Sequence, residues 1–542
     1  MEMHFATIWE SIADQIGDQP ALVHGDTRRT WAEYEERAAR IAAVLVAGGL
    51  QPDAKVGLLM YNGNEYLEAQ FGVLKMRGVA VNVNFRYLDD ELVYLLDNAD
   101  SEALVFHSSL ADRVARVAAR LPQLKVLVEV DDTDGRGLRT VPGALAYEEA
   151  LAGHEPMPRI ERSEDDVYML YTGGTTGMPK GVMYSMGGIT AGFVESSFPI
   201  FGLTPTADAA AIAPMVASLV AAGNPVVSIP CAPLMHGTGV WLGAIMPHLA
   251  GGTVVTLLSR SLDADEVLTA IQRERATTMT IVGDAFSKPI VAAIDAAIAA
   301  GRAYDTSSLK LIISSGVMWT AEVKHEVIER VEQAWLIDAI GSSEGSMGIS
   351  ITMKGMAAST GQFSRNPTTK VFTEDGREVA PGSDEIGMVA AGGFVPIGYY
   401  KDEVKSAATF RTIAGVRYSF PGDMARVAPD GSLILLGRGN KVINSGGEKV
   451  FPEEVEEAVK RVEGVRDALV VGLDHPKFGQ AVTAVASLED GASVTEAQVI
   501  AAVKGELAGY KAPKRVVFID EVPRGANGKA DYAAAKQYAA DA

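Results

Sequence analysis

Strand-like and helix-like segments alternate along most of this chain. KVGLLM, starting at residue 55, has the apolar run of a buried strand, and NEYLEAQFGVLKMRG, starting at residue 64, has the spacing of an amphipathic helix. The same order recurs between TVVTLLS at residue 253 and LKLIISSG at residue 309. Because parallel strands need a crossover between them, the alternation predicts mostly parallel sheets covered by helices, with ligands at the carboxyl ends of the strands.

The length and a change of pattern predict how the chain divides. A chain of 542 residues is too long for one hydrophobic core, and at roughly 150 residues per domain it should form about three or four compact units. After about residue 366 short strands with turn signals predict a small β-barrel-like subdomain. From FPEEVEEAVKRVEGV at residue 451 helices and strands alternate again. We therefore expect an α/β fold, with two helix-covered, mostly parallel sheets and the β-barrel-like subdomain in a large N-terminal domain, followed by a small α+β C-terminal domain.

Composition and charge exclude several classes of protein. With 48% hydrophobic and 22% charged residues, the chain resembles an ordinary globular protein. A formal charge of −21 argues against general nucleic-acid binding, which needs a basic face. The longest apolar runs are interrupted too early to span a bilayer, and the acidic N-terminal segment lacks the features of a signal peptide. The single cysteine, Cys231, cannot form an internal disulfide and fits the reducing cytoplasm.

The segment YTGGTTGMPKG, residues 171–181, has the composition of a phosphate-binding loop. It follows the strand-like VYMLY, and its glycines allow successive N–H groups to converge on phosphate oxygens. The threonines add hydroxyl groups, and Lys180 adds positive charge. The segment lacks the Gly-Lys-Ser/Thr ending of a Walker A loop and is not a G-x-G-x-x-G fingerprint. Considered alone, it could also be an ordinary flexible loop.

Further segments follow this loop in a fixed order, and together with it they resemble the motifs of a known family. They are PLMHG (Pro233 to Gly237), SSG (Ser314 to Gly316), GSSEG (Gly341 to Gly345), FPGDMARV (Phe420 to Val427), GRGNKVINSGGEKVFPEEVE (Gly437 to Glu456) and PRGANGKADY (Pro523 to Tyr532). Together with the glycine loop they resemble the motifs of the acyl-adenylate-forming (ANL) superfamily over essentially the whole chain. NVNFRYLDDELVYLLDNAD, GYYKDEVKSAATFRTI and an additional segment, residues 204–229, are most similar to the AMP-forming acyl-CoA synthetases of fatty acids and steroid side-chain acids.

The resemblance implies a reaction in two steps, with ATP, Mg²⁺ and CoA. A carboxylate attacks the α-phosphate of ATP to give acyl-AMP and pyrophosphate, and the thiol of CoA then displaces AMP. Five positions match catalytic residues of the family, namely Lys529, Glu344, Thr175, Lys180 and His236. Glu344 and Thr175 also match the Mg²⁺ ligands, and carboxylate and hydroxyl oxygens suit that ion.

The remaining roles follow from the same motifs. The positions implied to bind ATP or AMP are Thr172, Gly173, Gly174, Thr175, Thr176, Gly177, Lys180, Ser315, Gly316, Gly341, Ser342, Ser343, Asp423, Arg438 and Lys529. The positions implied to line the acyl pocket are His236, Gly237, Thr238, Trp241, Asp284, Phe286, Val317 and Ile340. Those implied to line the CoA tunnel are Ser445, Gly446, Gly447 and Glu448.

The resemblance also implies a mobile C-terminal domain. Its boundaries would be residues 1–437 for the N-terminal adenylate-forming domain, 438–442 for the hinge with Asn440 at its centre, and 443–542 for the domain that carries Lys529. Families commonly have aspartate or lysine at the hinge position, so Asn440 departs from the pattern. Ser343 stands where threonine is usual, Gly173 where serine is usual and Pro421 where threonine is usual.

The expected substrate is a hydrophobic monocarboxylic acid, because small and large apolar residues share the predicted pocket and no lysine or arginine marks a second carboxylate there. An amino-acid substrate is the alternative, and Asp284 is the residue that favours it. The alternative activities are an aryl-acid CoA ligase, an enzyme that loads a carrier protein, a luciferase-type oxidase and a non-enzymatic AMP-binding module. A cytoplasmic enzyme with small-molecule partners is expected, and a homodimer stays open.

Overall fold

The structure is a computed structural model that describes residues 1–133, 135–137, 141–172, 178–445, 448–475, 479–507, 509–525 and 528–542. Within these ranges the side chains of Arg438, Asn440, Asn444, Glu448 and Lys449 are not among the described ones. The helices are α1 (Phe5–Ile16), α2 (Trp31–Ala47), α3 (Asn64–Lys75), α4 (Asp89–Asn98), α5 (Ala111–Ala118), α6 (Tyr147–Ala152), α7 (Met186–Ser197), α8 (Ile212–Ala221), α9 (Met246–Leu249), α10 (Ala264–Glu274), α11 (Gly283–Ala299), α12 (Ala321–Arg330), α13 (Glu403–Thr409), α14 (Pro452–Lys460), α15 (Glu496–Glu506) and α16 (Tyr532–Asp541).

The strands are β1 (Pro20–His24), β2 (Thr27–Thr30), β3 (Lys55–Leu59), β4 (Val79–Asn82), β5 (Ser101–His107), β6 (Val126–Val130), β7 (Leu145–Ala146), β8 (Val167–Thr172), β9 (Lys180–Ser185), β10 (Val227–Pro230), β11 (Thr253–Thr256), β12 (Thr278–Ile281), β13 (Leu311–Ser315), β14 (Trp335–Ser342), β15 (Gly345–Thr352), β16 (Gln362–Arg365), β17 (Lys370–Phe372), β18 (Gly387–Ala390), β19 (Gly398–Tyr399), β20 (Phe410–Ile413), β21 (Val416–Ser419), β22 (Asp423–Val427), β23 (Leu433–Arg438), β24 (Ile443–Ser445), β25 (Glu448–Val450), β26 (Val465–His475), β27 (Gly479–Leu488) and β28 (Arg515–Phe518). A π-helix covers Thr238–Ile245, and short 3₁₀ turns join other elements.

The N-terminal part contains two helix-covered sheets. In the largest sheet, β1, β11, β10, β12, β13 and β14 pair in parallel. A second sheet has the order β4-β3-β5-β6-β7, and each of these pairings is parallel. Apolar residues on both faces of these strands are buried against the helices, which is typical of parallel sheets. The expected α/β fold is therefore confirmed.

The strands after residue 360 extend the largest sheet in antiparallel fashion. β15 pairs with both β14 and β16, and β16 continues the sheet through β23 to β22, β18 and β17. Turn residues such as Gly376 and Gly431, both with positive φ, separate the short strands, as expected from the sequence. This predicted β-rich unit is thus hydrogen bonded to the main sheet.

The C-terminal part forms a sheet of its own. β25, β24, β27 and β26 are antiparallel neighbours, and β28 pairs with β27 in parallel. Helices α14 and α15 pack on one face around Val455, Val459 and Val499, and α16 contributes Ala535 and Ala539 to a separate cluster. The expected small α+β unit is present, whereas the hinge at residues 438–442 stays a prediction.

A buried ion network joins the N-terminal helix to the body of the protein. The Glu10 carboxylate lies 2.6 Å from the Lys75 ammonium and accepts two 2.8 Å hydrogen bonds from the Arg162 guanidinium. Because each charge has hydrogen-bonded partners of opposite sign, their burial is compensated, and removal of one partner would leave a buried charge unpaired.

None of the described helices is both long and apolar enough to cross a membrane.

Candidate active site

A cavity of about 1460 Å³ lies at the carboxyl ends of the parallel strands and extends along the sheet. This volume exceeds the 300–1,000 Å³ typical of a pocket for one small ligand. The cavity lining includes predicted residues from several separate motifs, and these are Thr172, His236, Gly237, Thr238, Trp241, Ser315, Gly316, Ile340, Gly341, Ser342, Ser343 and Lys529. The fold therefore brings together side chains that lie up to several hundred positions apart in the sequence.

The glycine loop connects two strands of a hairpin. β8 and β9 are antiparallel, and Thr172 at the end of β8 pairs with Lys180 at the start of β9. Gly173, Gly174, Thr175, Thr176 and Gly177 lie outside the described residues. The hairpin nevertheless places both ends of the loop together, and Thr172 borders the cavity.

Asn82 fixes the base of this hairpin to the histidine segment. Its buried side chain accepts a 2.7 Å hydrogen bond from the Tyr171 N–H and donates to the carbonyl oxygens of Tyr171 and Met235 at 2.8 and 2.6 Å. One amide at the end of β4 thus satisfies polar groups of two motifs in a buried position, where unpaired groups would be costly. No motif in the sequence assigns Asn82 to the site, although its place at the end of a buried strand is typical of site residues.

Lys180 does not point freely into the cavity. Its ammonium lies 3.0 Å from the Asp402 carboxylate and 5.4 Å from the centre of the Tyr399 ring. The hydrogen bond from the Lys405 N–H, together with the interaction with Lys180, holds the pKa of Asp402 below its usual value. Lys180 is therefore already neutralised in part by a neighbouring carboxylate, and its predicted contact with phosphate requires competition with Asp402.

The GSSEG segment forms the tight turn between β14 and β15. Ser342 pairs with Gly345 across the turn, and the Glu344 N–H donates to the Ser342 hydroxyl at 3.1 Å. The Tyr399 hydroxyl donates a 2.7 Å hydrogen bond to Glu344 Oε1. Ser343 and Gly345 line the cavity on either side of Glu344, so the carboxylate is held at the cavity edge by a neighbouring tyrosine.

Tyr399 was missed by the sequence analysis. It is buried at the end of β19, which pairs with β9, and it packs against Phe410 at a ring distance of 5.3 Å. A second tyrosine, Tyr184, donates a 3.2 Å hydrogen bond to the carbonyl oxygen of Ser343. A single sequence offers no signal for either contact, because the partners lie on different strands of different motifs.

The predicted nucleotide-base segment follows β13. Ser315, the last residue of β13, donates a 2.9 Å hydrogen bond to the Ala339 carbonyl oxygen of β14. Gly316 adopts φ +99°, a conformation that residues with a side chain rarely adopt, so the chain turns sharply there. Both residues line the cavity beside Gly341.

Asp423 begins β22 in the position expected for the ribose-binding residue. Gly422 before it has φ +101°, and Asp423 pairs with Arg438 across β22 and β23. Asp423 is half-buried, whereas the side chain of Arg438 is outside the described ones. The pairing places the two predicted ribose residues opposite each other in the backbone ladder.

Lys529 from the C-terminal part borders the same cavity as His236 from the N-terminal part. The loop that carries Lys529 packs closely on the N-terminal part, since a Cβ built on Gly528 would lie 3.3 Å from the Cβ of Ala285. Burial, together with the positive charges of Lys529 and Arg86, lowers the pKa of His236 to about 4. The imidazole is therefore neutral at ordinary pH.

The segment after His236 forms the π-helix, Thr238–Ile245, and turns Thr238 and Trp241 toward the cavity. The Trp241 indole N–H donates a 2.8 Å hydrogen bond to the Tyr168 hydroxyl, which fixes its ring. π-Helices occur often at functional sites.

Three predicted acyl-pocket residues lie away from the cavity lining, namely Asp284, Phe286 and Val317. Asp284 lies in the first turn of α11, and its carboxylate accepts a 2.9 Å hydrogen bond from the Thr320 N–H and further bonds from the Thr320 hydroxyl. Phe286 is buried in the core beneath α11, and Val317 packs against that core. The place of Asp284 thus gives no support to an amino-acid substrate.

The predicted CoA-tunnel and hinge residues are only partly described. Ser445 ends β24 and is buried. Gly446 and Gly447 lie outside the described residues, as do the side chains of Glu448 and Asn440. Their roles stay predictions.

Comparison with known proteins identifies the family. Residues 9–400 match the AMP-binding enzyme family, and residues 454–529 match the AMP-binding enzyme C-terminal domain. The chain is 41% identical to a medium/long-chain-fatty-acid--CoA/3-oxocholest-4-en-26-oate--CoA ligase of Mycolicibacterium smegmatis, over 99% of this chain and 96% of that protein. It is 38% identical to a 3-oxocholest-4-en-26-oate--CoA ligase of Rhodococcus rhodochrous, over 99% of this chain and 96% of that protein.

A solved structure agrees with this relationship. The crystal structure of ATP-bound MatB from Rhodopseudomonas palustris superposes with a TM-score of 0.81 at 25% identity, and the match covers 99% of each chain. The protein therefore belongs to the AMP-binding enzymes as an AMP-forming acyl-CoA ligase, which activates a carboxylic acid with ATP and passes the acyl group to CoA.

Proposed function

We propose that the protein activates hydrophobic monocarboxylic acids, namely medium- or long-chain fatty acids or steroid side-chain acids. The observation that carries this proposal is the continuity of the cavity, which runs from His236 and Lys529 to an arm lined by leucine, isoleucine and tryptophan side chains. An apolar arm favours a substrate whose distal part is hydrocarbon, because burial of each methylene contributes about 0.8 kcal/mol. The names of the two relatives describe acids of this kind.

Lys529 is proposed to enable the first step. In that step a carboxylate oxygen attacks the α-phosphorus of ATP, the bond from phosphorus to the bridging oxygen breaks, and pyrophosphate leaves. Two anions must approach each other, and a lysine in a cavity of low dielectric constant reduces their repulsion. The place of Lys529 on the cavity wall, close enough for its charge to lower the pKa of His236, supports this role.

Glu344 is proposed to hold Mg²⁺ together with Thr175 and the phosphates of the nucleotide. The donor set fits, because Mg²⁺ on nucleotides is usually bound through one or two carboxylates plus phosphate oxygens. Within the described residues there is no cluster of three or more metal-ligating side chains, so a shared site with the nucleotide is the arrangement that suits Glu344. When bound, the ion would neutralise phosphate charge, and Tyr399 would orient the carboxylate that holds it.

The other nucleotide contacts are proposed from position. Ser315, Gly316, Gly341, Ser342 and Ser343 border the space for the adenine and α-phosphate, since all five line the cavity. Asp423 would accept hydrogen bonds from the ribose hydroxyls with help from Arg438. The loop from Thr172 to Gly177, with Lys180, would hold the terminal phosphates.

His236 is proposed to act as a gate between the acyl arm and the thiol, rather than as a proton donor. A group with a pKa of about 4 carries almost no proton near neutral pH, which excludes a role as a general acid there. In the second step the thiolate sulfur of CoA attacks the acyl carbon, the bond from that carbon to the phosphate oxygen breaks, and AMP leaves. Rotation about Asn440 would exchange Lys529 for the loop from Ser445 to Glu448 between the steps.

Two further proposals concern the setting of the enzyme. One cysteine in 542 residues suits the cytoplasm, where ATP and CoA are available. Fractionation of cells that express the tagged protein would test this location. The second proposal is that the protein forms a homodimer. Light scattering during gel filtration would test it.

Mass spectrometry of a competition reaction tests the substrate class. The purified protein would receive ATP, Mg²⁺, CoA and equal amounts of short, medium and long fatty acids, aromatic acids and steroid side-chain acids. We expect CoA thioesters of the longer fatty acids or the steroid acids to predominate. Predominance of aromatic thioesters would contradict the proposed substrate class, and acyl-AMP without thioester would indicate a protein-bound thiol as the acceptor.

A further inference from the structure

The floor of the apolar arm consists of alternate residues from β13, β14 and β15. Successive side chains of a strand point to opposite faces, so residues two apart share one face. The register joins Ser315, Ala339 and Ile349 in one row, Ile313, Ile337 and Ile351 in the next, and Leu311 and Trp335 in the last. All of these residues line the cavity. We name these rows rung 1, rung 2 and rung 3.

The roof of the arm is one face of α7 and the turn after it. Among its cavity-lining residues, Ile189, Gly192, Phe193, Ser196, Pro199 and Ile200 recur at helical spacing. The exposed Glu195 also borders the cavity beside them. Phe193 lies 5.7 Å from the Trp241 ring near the reaction centre, whereas Ile200 packs against the apolar residues of rungs 2 and 3. Successive residues of the roof therefore lie over successive rungs of the floor, from the reaction centre outward.

The character of the rungs changes along the arm. Rung 1 begins with the small polar Ser315 and the small Ala339 beside the nucleotide space, and rung 2 is entirely isoleucine. Trp335 at the far end is 50% exposed and Ile351 of rung 2 is 37% exposed, so the arm opens to solvent beside these two residues. An acyl chain that enters at rung 1 thus meets apolar side chains at regular intervals before it reaches the opening.

We propose that rungs 2 and 3 measure the length of the acyl group, with Trp335 as the residue that contacts the end of the longest acids. The proposal rests on the proposed function. Neighbouring rungs are two residues apart, or about 6.6 Å at about 3.3 Å per residue. Carbon–carbon bonds of about 1.5 Å at an angle of about 111° advance about 1.25 Å per methylene, so one rung corresponds to about five carbons.

This geometry predicts ordered limits of chain length. Ile337→Trp fills the arm at rung 2, and Leu311→Trp fills it at rung 3. We expect kcat/KM to fall at least about tenfold beyond a limiting length in each variant, with the limit for Ile337→Trp about five carbons shorter than that for Leu311→Trp. Acids shorter than both limits should react as in the unmodified enzyme.

Substitution of Trp335 carries little risk to folding, because this residue is exposed. Trp335→Ala removes apolar contact at the far end only, where each buried methylene otherwise improves kcat/KM by about fourfold. We expect a loss confined to the longest acids and expressed mainly in KM. Ile298→Trp, on an exposed face of α11 outside the cavity lining, is the matched control for Ile337→Trp and should leave the profile unchanged.

The experiment measures pyrophosphate release for each saturated acid from about four to about eighteen carbons, with circular dichroism to check folding. Limits in the expected order support the proposal. If the limits coincide or reverse, or if Trp335→Ala reduces all acids equally, the rungs do not measure length. Should the unmodified enzyme activate none of these acids, the fatty-acid part of the proposed function fails and the proposed selection by acyl length fails with it. That outcome is distinct from an active enzyme with unmoved limits, which overturns the selection by length alone.

Discussion

The two ends of the cavity are built in different ways. At the end that we propose binds the nucleotide, here called the nucleotide end, short motifs rich in glycine, serine and charged residues supply the lining, and Ser342, Ser343 and Gly345 are neighbours in sequence. At the acyl end, alternate residues of β13, β14 and β15 face one side of α7, and their sequences resemble ordinary core strands. Binding of phosphate and ribose requires particular polar groups, whereas hydrocarbon requires only apolar surface of a suitable shape.

This difference has a consequence for mutations. At the nucleotide end, loss of one charge should reduce the rate with every acid, because all acids share the same phosphate chemistry. At the acyl end, a change of volume should alter the choice of acid and leave the chemistry intact. Substitutions at the nucleotide end and at His236 test this contrast.

Lys529→Ala should have the largest effect. Loss of one group that stabilises developing charge typically costs about 10²–10³ in rate, and we expect that loss in acyl-AMP formation with every acid. Thioester formation from supplied acyl-AMP should stay largely intact. Pyrophosphate release and thioester formation are measured separately, with Lys536→Ala on the exposed side of α16 as control. Equal loss of both steps would contradict the role of Lys529 in the first step.

Glu344→Gln should slow acyl-AMP formation by about 10²-fold and raise the magnesium concentration required, because a neutral amide is a weaker ligand than a carboxylate. Calorimetric titration of ATP at several magnesium concentrations measures the requirement without turnover. Glu374→Gln, in an exposed turn, is the matched control. An unchanged magnesium requirement would show that Glu344 is not a ligand.

Tyr399→Phe should have a smaller effect of the same kind. It removes the 2.7 Å hydrogen bond to Glu344, and a hydrogen bond to a charged group contributes about 1.5–3 kcal/mol, so we expect a rise of at least about tenfold in the magnesium concentration required. Tyr400→Phe is the control, because the Tyr400 hydroxyl bonds to Asp100 instead. Equal responses of the two variants would indicate that the Tyr399 hydroxyl does not position Glu344.

His236→Asn should leave the shape of the pH profile of acyl-AMP formation unchanged between about pH 5.5 and about pH 8. The pKa of His236 is about 4, below the ordinary value of 6.5. Between about pH 4 and about pH 6.5 the imidazole of His236 therefore binds fewer protons in the folded protein than in the unfolded chain. The contribution of His236 to stability is therefore present above about pH 6.5 and is lost as the pH falls toward about 4. Lowering the pH from about 6.5 to about 4 should therefore reduce the stability of the variant less than that of the unmodified protein. A limb of the pH–rate profile near pH 6.5 that disappears in the variant would refute a neutral His236.

Much of the fold was predictable from local patterns. The strand–helix alternation from TVVTLLS to LKLIISSG corresponds to β11 through β13, because each element carries its own periodicity. The motifs also predicted residues that the structure places on the cavity wall, such as Ser315, Ser343 and Lys529. Asp284 shows the limit of such transfer, since a motif position predicted a pocket residue and the structure places it in a hydrogen bond with Thr320.

Other site residues gave no local signal. Asn82 contacts Tyr171 and Met235, and Tyr399 contacts Glu344, through pairs that lie far apart in the chain. The alternation of β13 predicts two faces for the strand, but it does not tell which face meets the core and which meets a ligand. That choice depends on the position of α7, which is a tertiary property.

By itself the sequence determined the family chemistry, because phosphate, ribose and carboxylate binding need specific polar groups at short, fixed spacings. The tertiary structure alone decided the shape of the acyl arm, the opening at Trp335 and the hydrogen bond that holds Glu344. The physical reason is that apolar surface is interchangeable along a chain and acquires specificity only when strands and helices place it around a common space.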